Sequence, residues 1–163
     1  MAQARDMRIL LGAFGLAGLT ALSAPAFAQT SDTLTVLATV GGECSVTGGT
    51  LDFGNYTGAQ KDVDVPISFS CNAPTNIAIS MDGGATGDPS NRQMFNEGFT
   101  SQILYQLFRD SARTQLWGVF PEDSADFTNA TSGTPTVFGR IQSGQTPLSG
   151  NYSDTIEITL TTN

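Results

Sequence analysis

Apolar and polar positions alternate along much of this chain, in the period-2 pattern of β-strands with one buried face. The pattern recurs in five segments: Val63–Phe69, Ile77–Met81, Gln102–Phe108, Val137–Ile141 and Asp154–Thr161. The third segment is apolar on both faces, which predicts a central strand, with a short helix as the alternative. Pro66 cannot donate to a strand ladder, so the first segment is predicted to lie at a sheet edge or to contain a bulge.

Another alternating segment, Thr33–Val40, precedes the first cysteine. Its apolar face consists of Leu34, Val36, Ala38 and Val40. Gly41-Gly42 follows at once and predicts a hinge, because glycine is the residue least able to hold one conformation. Two interpretations are open: the segment is a free strand that inserts into another molecule, or it is the first strand of a complete sandwich.

The N-terminus has the pattern of a signal peptide over residues 1–28. Arg5 and Arg8 precede an apolar run from Ile9 to Leu22, and Ala26–Ala28 supplies a small-x-small cleavage site. The alternative, a membrane anchor, is disfavoured because the run is shorter than the ~20 residues of a spanning helix and contains glycines. Cleavage would leave 135 residues, which suits one domain.

Charge and composition exclude several function classes. Removal of residues 1–28 leaves five basic and fourteen acidic residues, a net charge of −9, which argues against a nucleic-acid partner. The chain has no histidine and no Gly-x-Ser-x-Gly motif, so nucleophilic catalysis lacks its usual residues. We therefore predict that the protein is not an enzyme and uses no cofactor.

Two cysteines, Cys44 and Cys71, remain after cleavage. Export to an oxidising compartment favours a disulfide between them. Free thiols or a metal site are the alternatives, and a metal site is disfavoured because no further Cys or His completes a ligand set. The single tryptophan, Trp117, is predicted to lie in the core; the alternative is an exposed carbohydrate-binding patch with Tyr56 and Tyr152.

Regular strand spacing, 18 glycines and the lack of an amphipathic helical pattern after residue 28 predict an all-β, antiparallel sandwich. About six strands are predicted in the body of the domain, from Cys44 to the end of the chain. This is one strand fewer than an immunoglobulin-like set, and an incomplete sandwich exposes a strand edge and part of its core. Addition of a strand from another molecule would cover both.

Six motifs spread over the chain after residue 28 resemble the spore coat protein U domain, a family that includes the pilins of archaic chaperone-usher systems such as Csu pili. The motifs are Thr50–Gly54, Met81–Gly84, Leu104–Thr114, Trp117-Gly118, Val137–Ile141 and Gly150–Thr155. The run that ends at Arg113-Thr114 is the most specific. Ser111 departs from the family, which commonly has another small residue, alanine, at that position.

The resemblance implies an incomplete immunoglobulin-like sandwich that lacks its last strand. In such families a periplasmic chaperone lends a strand to the open groove, and the N-terminal extension of the next subunit replaces it at an outer-membrane usher. By this resemblance, residues 1–28 are a signal peptide, residues 29–42 the donor-strand extension with its hinge, and residues 43–163 the pilin domain. The inserted side chains would be Leu34, Val36, Ala38 and Val40.

The implied function is that of a structural subunit of a surface fibre, exported through the periplasm and used for adhesion or biofilm formation. The implied partners are identical or related pilin subunits, a periplasmic chaperone and an outer-membrane usher, with no nucleic acid and no membrane span after cleavage. Alternatives are a tip or minor adhesin subunit and a secreted or coat protein that never polymerises. The missing C-terminal strand and the resemblance favour strand donation over a complete sandwich.

Overall fold

The computed structural model describes residues 35–38, 41–119 and 121–163. The chain divides into two units, residues 1–37 and residues 38–163. Of the first unit the structure describes residues 35–37, which are exposed and belong to no strand. The second unit contains two 3₁₀ turns, Gly84–Thr86 and Pro121–Asp123, and nine described strands: β1 Cys44–Thr47, β2 Lys61–Pro66, β3 Ser68–Met81, β4 Gln93–Asn96, β5 Gln102–Phe108, β6 Ala125–Gly133, β7 Thr136–Ile141, β8 Tyr152–Ser153 and β9 Ile158–Thr162.

The nine strands form two antiparallel sheets. In the first sheet the order is β1-β3-β6, with β9 also paired to β3, and in the second it is β2-β7-β5-β4-β8. Inward side chains of both sheets form one hydrophobic core. The predicted fold class, an all-β antiparallel sandwich of immunoglobulin-like type, is confirmed.

Strands β3, β5 and β7 supply the centre of the core. Their inward residues are buried and alternate with more exposed ones, as in Ile103, Tyr105 and Leu107 of β5. Trp117 is only 1% exposed, and its indole N–H donates to the carbonyl of Ile79 at 2.8 Å. The prediction that Trp117 is a core residue is confirmed.

Two of the five predicted strands coincide with observed ones. Gln102–Phe108 is β5, a strand rather than a helix, and it lies between β7 and β4 within its sheet as expected for a central strand. Val137–Ile141 falls within β7. Both segments keep one register along one sheet, which is why their alternation predicted them correctly.

The prediction of a single strand over Val63–Phe69 was wrong. The chain leaves the second sheet after Pro66 and enters the first sheet at Ser68, and β3 then continues through the separately predicted strand Ile77–Met81. The alternation is unbroken because the two sheets share one core, so apolar residues face inward on both sides of the crossing. The predicted edge position is confirmed, since β2 is the outermost strand of its sheet.

Of the last predicted strand, Asp154–Thr161, only the part from Ile158 onward is a strand, and the chain crosses between the sheets at residues 154–157. Tyr152–Ser153 pairs with β4 in the second sheet, and Ile158–Thr162 pairs with β3 in the first. Strands β1, β4, β6 and β8 were not predicted, and the body has nine described strands where the sequence indicated about six. The missed strands are short or, like β6, rich in Thr, Ser, Asn and Gly, and their alternation is correspondingly weak.

The predicted signal peptide, residues 1–28, lies outside the described residues. Among residues 35–38, 41–119 and 121–163, no helix has the length and apolar character needed to cross a membrane.

Candidate functional site

An elongated groove opens on the core of the sandwich. It consists of two adjoining clefts, of about 470 Å³ and about 870 Å³, which share Leu51, Phe53 and Tyr152 among their lining residues. Residues 49–58 form one wall, here called the first rim, and residues from 145–158 form the other, here called the second rim. One end of the groove lies near Gly49 and Ile158, and the other lies near residues 58 and 145. From the first end to the second, residue numbers rise along the first rim and fall along the second rim. The two rims therefore run in opposite chain directions.

The floor of the groove is mostly apolar and comes from both sheets. It is lined by Val65, Ile67, Met81, Met94, Tyr105, Leu107 and Val137. Covering apolar surface stabilises by about 25 cal/mol per Å² removed from water. The groove therefore favours an occupant with apolar side chains on one face.

The backbone of the first rim has no ladder partner. Among the described residues, no hydrogen bond joins the backbone of residues 48–57 to another backbone group. On the other side of the groove, β9 pairs with β3 alone within the described strands. The first rim thus offers backbone N–H and C=O groups to an incoming strand, and β9, which reaches the groove at Ile158, has one free edge within the described strands.

Side-chain packing holds the first rim in place. Leu51 and Phe53 pack over Gly139 of β7, where a Cβ would lie 2.8 Å from Leu51 Cδ1 and 3.0 Å from Phe53 Cζ. The Phe53 ring also meets the Tyr105 ring edge-on at 6.2 Å. The absence of a side chain at Gly139 is what lets the first rim lie against the second sheet.

Carboxylates hold the second rim. Asp154 Oδ2 accepts a hydrogen bond from the Tyr105 hydroxyl at 2.7 Å, and Asp154 Oδ1 accepts one from the amide of Ala85 at 2.9 Å. Asp82 Oδ1 accepts one from the amide of Glu157 at 2.9 Å. Burial, together with the hydrogen bond to Asp154, raises the pKa of Tyr105 well above its usual value, so the phenol stays protonated and donates.

Behind this rim lies the fully buried side chain of Arg92. Its Nη2 donates to the carbonyls of Met81 at 3.0 Å and Trp117 at 2.7 Å, its Nε to Asp82 at 2.8 Å, and its Nη1 to Pro89 at 3.2 Å. Burial lowers the pKa of Arg92 from its ordinary value, because desolvation disfavours the charged form. One guanidinium thus joins the end of β3 to two loops.

The folded body begins at Glu43. Its amide donates to Asn72 Oδ1 at 2.8 Å, and its carbonyl accepts from the amide of Asn72 at 3.0 Å. The next residue, Cys44, is joined to Cys71 by a disulfide with a Cα–Cα distance of 4.1 Å. The predicted disulfide is therefore present, and it ties β1 to β3.

The two glycines that precede Glu43, Gly41 and Gly42, differ in the space around them. A Cβ at Gly41 would meet nothing within 4 Å, whereas a Cβ at Gly42 would lie 2.1 Å from Thr75 Oγ1. The sequence predicted one hinge over both residues. Gly42 is required by close packing against β3, and only Gly41 has open space.

The predicted donor residues are only partly described. Val36 is 81% exposed and Ala38 is exposed, and neither belongs to a strand. Leu34 and Val40 lie outside the described residues. Sequence analysis did not identify the rims or the floor as a site, although Thr50–Gly54 was one of the motifs that carried the family resemblance.

The outer edge of the second sheet differs from the groove. Strand β2 ends at Pro66, and its Asp62 forms a two-bond ion pair with Arg140 at 2.7 Å, while Asp64 pairs with Arg113. The hydrogen bond from Arg140 lowers the pKa of Asp62. Charged residues and proline discourage pairing at a sheet edge. The β2 edge is thus protected from strand addition, and the groove is not.

Within the described part of the chain, no group of three or more His, Cys, Asp or Glu side chains is placed to hold a metal ion.

Among solved structures, the chain is similar to the CsuC–CsuE chaperone–tip adhesion subunit pre-assembly complex from archaic chaperone-usher Csu pili of Acinetobacter baumannii. The TM-score is 0.58 at 21% identity, over 75% of this chain and 40% of that one, so this chain spans less than half of its length. This similarity shows the fold. A chaperone–tip adhesin complex of CFA/I fimbriae biogenesis has a TM-score of 0.42 at 11% identity, over 74% and 42% of the two chains, and supports no argument.

Sequence comparison is more specific. Protein U of Myxococcus xanthus is 30% identical over 164 residues, which cover 89% of this chain and 92% of that protein. The family model of the Spore Coat Protein U domain matches residues 30–159. The chain therefore belongs to the Spore Coat Protein U domain family.

Proposed function

We propose that this protein is a structural subunit of a surface fibre whose copies are joined by donor-strand exchange. The observation that carries the proposal is the groove, in which the first rim, whose backbone has no ladder partner, flanks an apolar floor. A strand inserted between the rims would pair with the first rim and bury its apolar face at the same time. The family consists of structural subunits, and the chain is not an enzyme.

The donor in this proposal is the extension over residues 29–42 of a neighbouring copy. Its inserted face is Leu34, Val36, Ala38 and Val40. Burial of three medium aliphatic side chains and one alanine yields roughly 5 to 9 kcal/mol before costs. Ladder hydrogen bonds at about 1 kcal/mol each add to this and make the junction slow to open.

Export and assembly complete the proposal. Residues 1–28 act as the signal peptide, residues 43–163 form the subunit body, and the fibre reaches the cell surface through an outer-membrane usher. A periplasmic chaperone covers the groove beforehand, because an exposed apolar floor promotes aggregation. Adhesion or biofilm formation is the proposed use of the fibre.

A pair of substitutions on opposite faces of the extension tests the proposal. Val36→Asp would place an unpaired carboxylate in the neighbour's groove, at a cost of several kcal/mol that is comparable with the gross gain from insertion. Leu37→Asp puts the same charge on the opposite face of the strand, because side chains alternate. We expect Val36→Asp to abolish the ladder of multimers on unheated detergent gels and Leu37→Asp to preserve it.

Chaperone binding serves as the control. Val36→Asp leaves the groove of its own subunit unchanged, so the variant should still form a soluble complex with the chaperone. Equal effects of the two substitutions, or loss of the chaperone complex with Val36→Asp, would mean that the segment belongs to its own domain and is not a donor.

A further inference from the structure

An exposed phenylalanine stands at the tip of the β4–β5 hairpin. Phe99 is 74% exposed and has a φ of +55°, in the left-handed region that bulky residues rarely occupy. Such a conformation is strained and persists only where the surroundings enforce it. The exposure of Phe99 is therefore built into the loop.

Asn96 enforces this loop. Its Oδ1 accepts hydrogen bonds from the amides of Thr100 at 3.0 Å and Ser101 at 2.8 Å, and its Nδ2 donates to Thr100 Oγ1 at 2.9 Å. The Phe95 and Phe99 rings pack against each other, with their centroids 5.2 Å apart. The hairpin thus presents an aromatic side chain to the outside on a fixed base.

A second exposed apolar residue, Leu148, lies beside this loop. Leu148 is 61% exposed, and its amide donates to Ser101 Oγ at 3.1 Å. Its carbonyl accepts from the Tyr152 hydroxyl at 2.7 Å, and both residues line the groove. Leu148 thus lies at one end of the groove, and it is hydrogen-bonded to the loop that carries Phe99; these two exposed side chains are here called the Phe99–Leu148 patch.

The length of the extension limits where a strand-donating copy can lie. Only Gly41 and Gly42 separate Val40 from Glu43, where the hydrogen-bonded body of the subunit begins. Three residues span at most about 11 Å. The body of the donor copy must therefore touch the acceptor near the groove end at which Val40 is seated.

The two ends of the groove differ in exposed apolar side chains. Four large ones are strongly exposed within the described part of the body, namely Phe99, Leu104, Val119 and Leu148. Leu148 lines the end formed by residues 145–150, and Phe99 lies in the hairpin loop whose Ser101 is hydrogen-bonded to Leu148, whereas none of the four lines the end near Gly49 and Ile158. An exposed apolar patch on a secreted protein indicates a contact surface.

We infer that the Phe99–Leu148 patch is the docking surface for the body of the strand-donating copy. This inference rests on the proposed function. It places Val40 of the donor at the Leu148 end of the groove and adds an apolar contact to the inserted strand. The contact limits rotation of one subunit about the short linker at Gly41.

Photo-crosslinking in assembled fibres tests the inference. Phe99 is replaced with the photoreactive analogue p-benzoylphenylalanine, and Val119 is replaced in the same way as an exposed control. After irradiation the samples are boiled, so that only covalently joined copies remain together. We expect crosslinked dimers from position 99, with the crosslink mapped close to Glu43 of the second copy, and none from position 119.

The outcomes separate this inference from the proposed function. If the multimer ladder forms and position 99 yields no crosslink between copies, strand donation stands and the docking surface is wrong. If Val36→Asp still polymerises, the proposed strand donation is wrong. The inferred docking surface is then wrong as well, because it depends on strand donation. A Phe99→Ser, Leu148→Ser variant should keep the ladder but release subunits at a lower temperature than wild type, whereas Val119→Ser should match wild type.

Discussion

The buried guanidinium of Arg92 offers a direct test of how the groove is held together. Arg92→Met keeps a similar side-chain length and removes all donors to the carbonyls of Met81, Asp82, Pro89 and Trp117. No compensating donor is introduced, so the carbonyls in the buried part of the cluster are left without partners.

The expected loss follows from two of these bonds. The bonds to Met81 and Trp117 are fully buried, and an unsatisfied buried carbonyl costs about 1 to 3 kcal/mol. Part of this cost is offset, because the folded protein no longer buries a charge that its surroundings disfavour. We expect Arg92→Met to lower the free energy of unfolding by about 2 to 4 kcal/mol.

Urea unfolding followed by tryptophan fluorescence measures this loss. Trp117 is the only tryptophan, and it is buried beside the cluster, so its emission reports the region directly. Arg140→Met is the matched control, since Arg140 pairs with Asp62 at the surface and its loss should cost less than about 1 kcal/mol. A similar midpoint for the two variants would refute the assigned role of Arg92.

Three further outcomes are expected. Replacing Cys44 and Cys71 with alanine should lower the free energy of unfolding by about 3 to 4 kcal/mol, measured by urea unfolding under non-reducing conditions, because the disulfide closes a long loop. Gly42→Ala should lower the melting temperature and Gly41→Ala should not, because only the former introduces a clash; equal melting temperatures would contradict the packing. The pKa of Asp62 is lower in the folded state than in the unfolded state. Its ion pair therefore stabilises the fold fully above the unfolded pKa of about 4, and this contribution is lost as the pH falls through the folded pKa. Asp62→Asn should make the free energy of unfolding less dependent on pH in this range, as measured by urea unfolding at a series of acidic pH values.

Local pattern was sufficient for several features. The strands β5 and β7, the edge position of β2 and the core position of Trp117 follow from alternation, proline chemistry and the burial preference of tryptophan. The disulfide followed from two cysteines and an export signal. In each case the determining interaction is local, or the number of candidate partners is very small.

Where the chain changes sheets could not be predicted from alternation. Residues on both sides of Pro66 point to the same core, so the crossing between β2 and β3 leaves no mark in the apolar pattern. The same holds for residues 154–157, between β8 and β9. Periodicity indicates which side chains face the core, but it does not indicate to which sheet each residue belongs.

The candidate site depended on tertiary structure for the same reason. Alternation from Leu34 to Val40 suggested a strand to insert, but the groove is assembled from rims and floor residues that are far apart in sequence. Gly139 accommodates Leu51 and Phe53, and Arg92 reaches carbonyls as far away as Trp117. A sequence determines by itself which faces are apolar, because that is a property of single residues and their spacing. Only packing in three dimensions decides which apolar face remains without a neighbour, because that depends on every other strand.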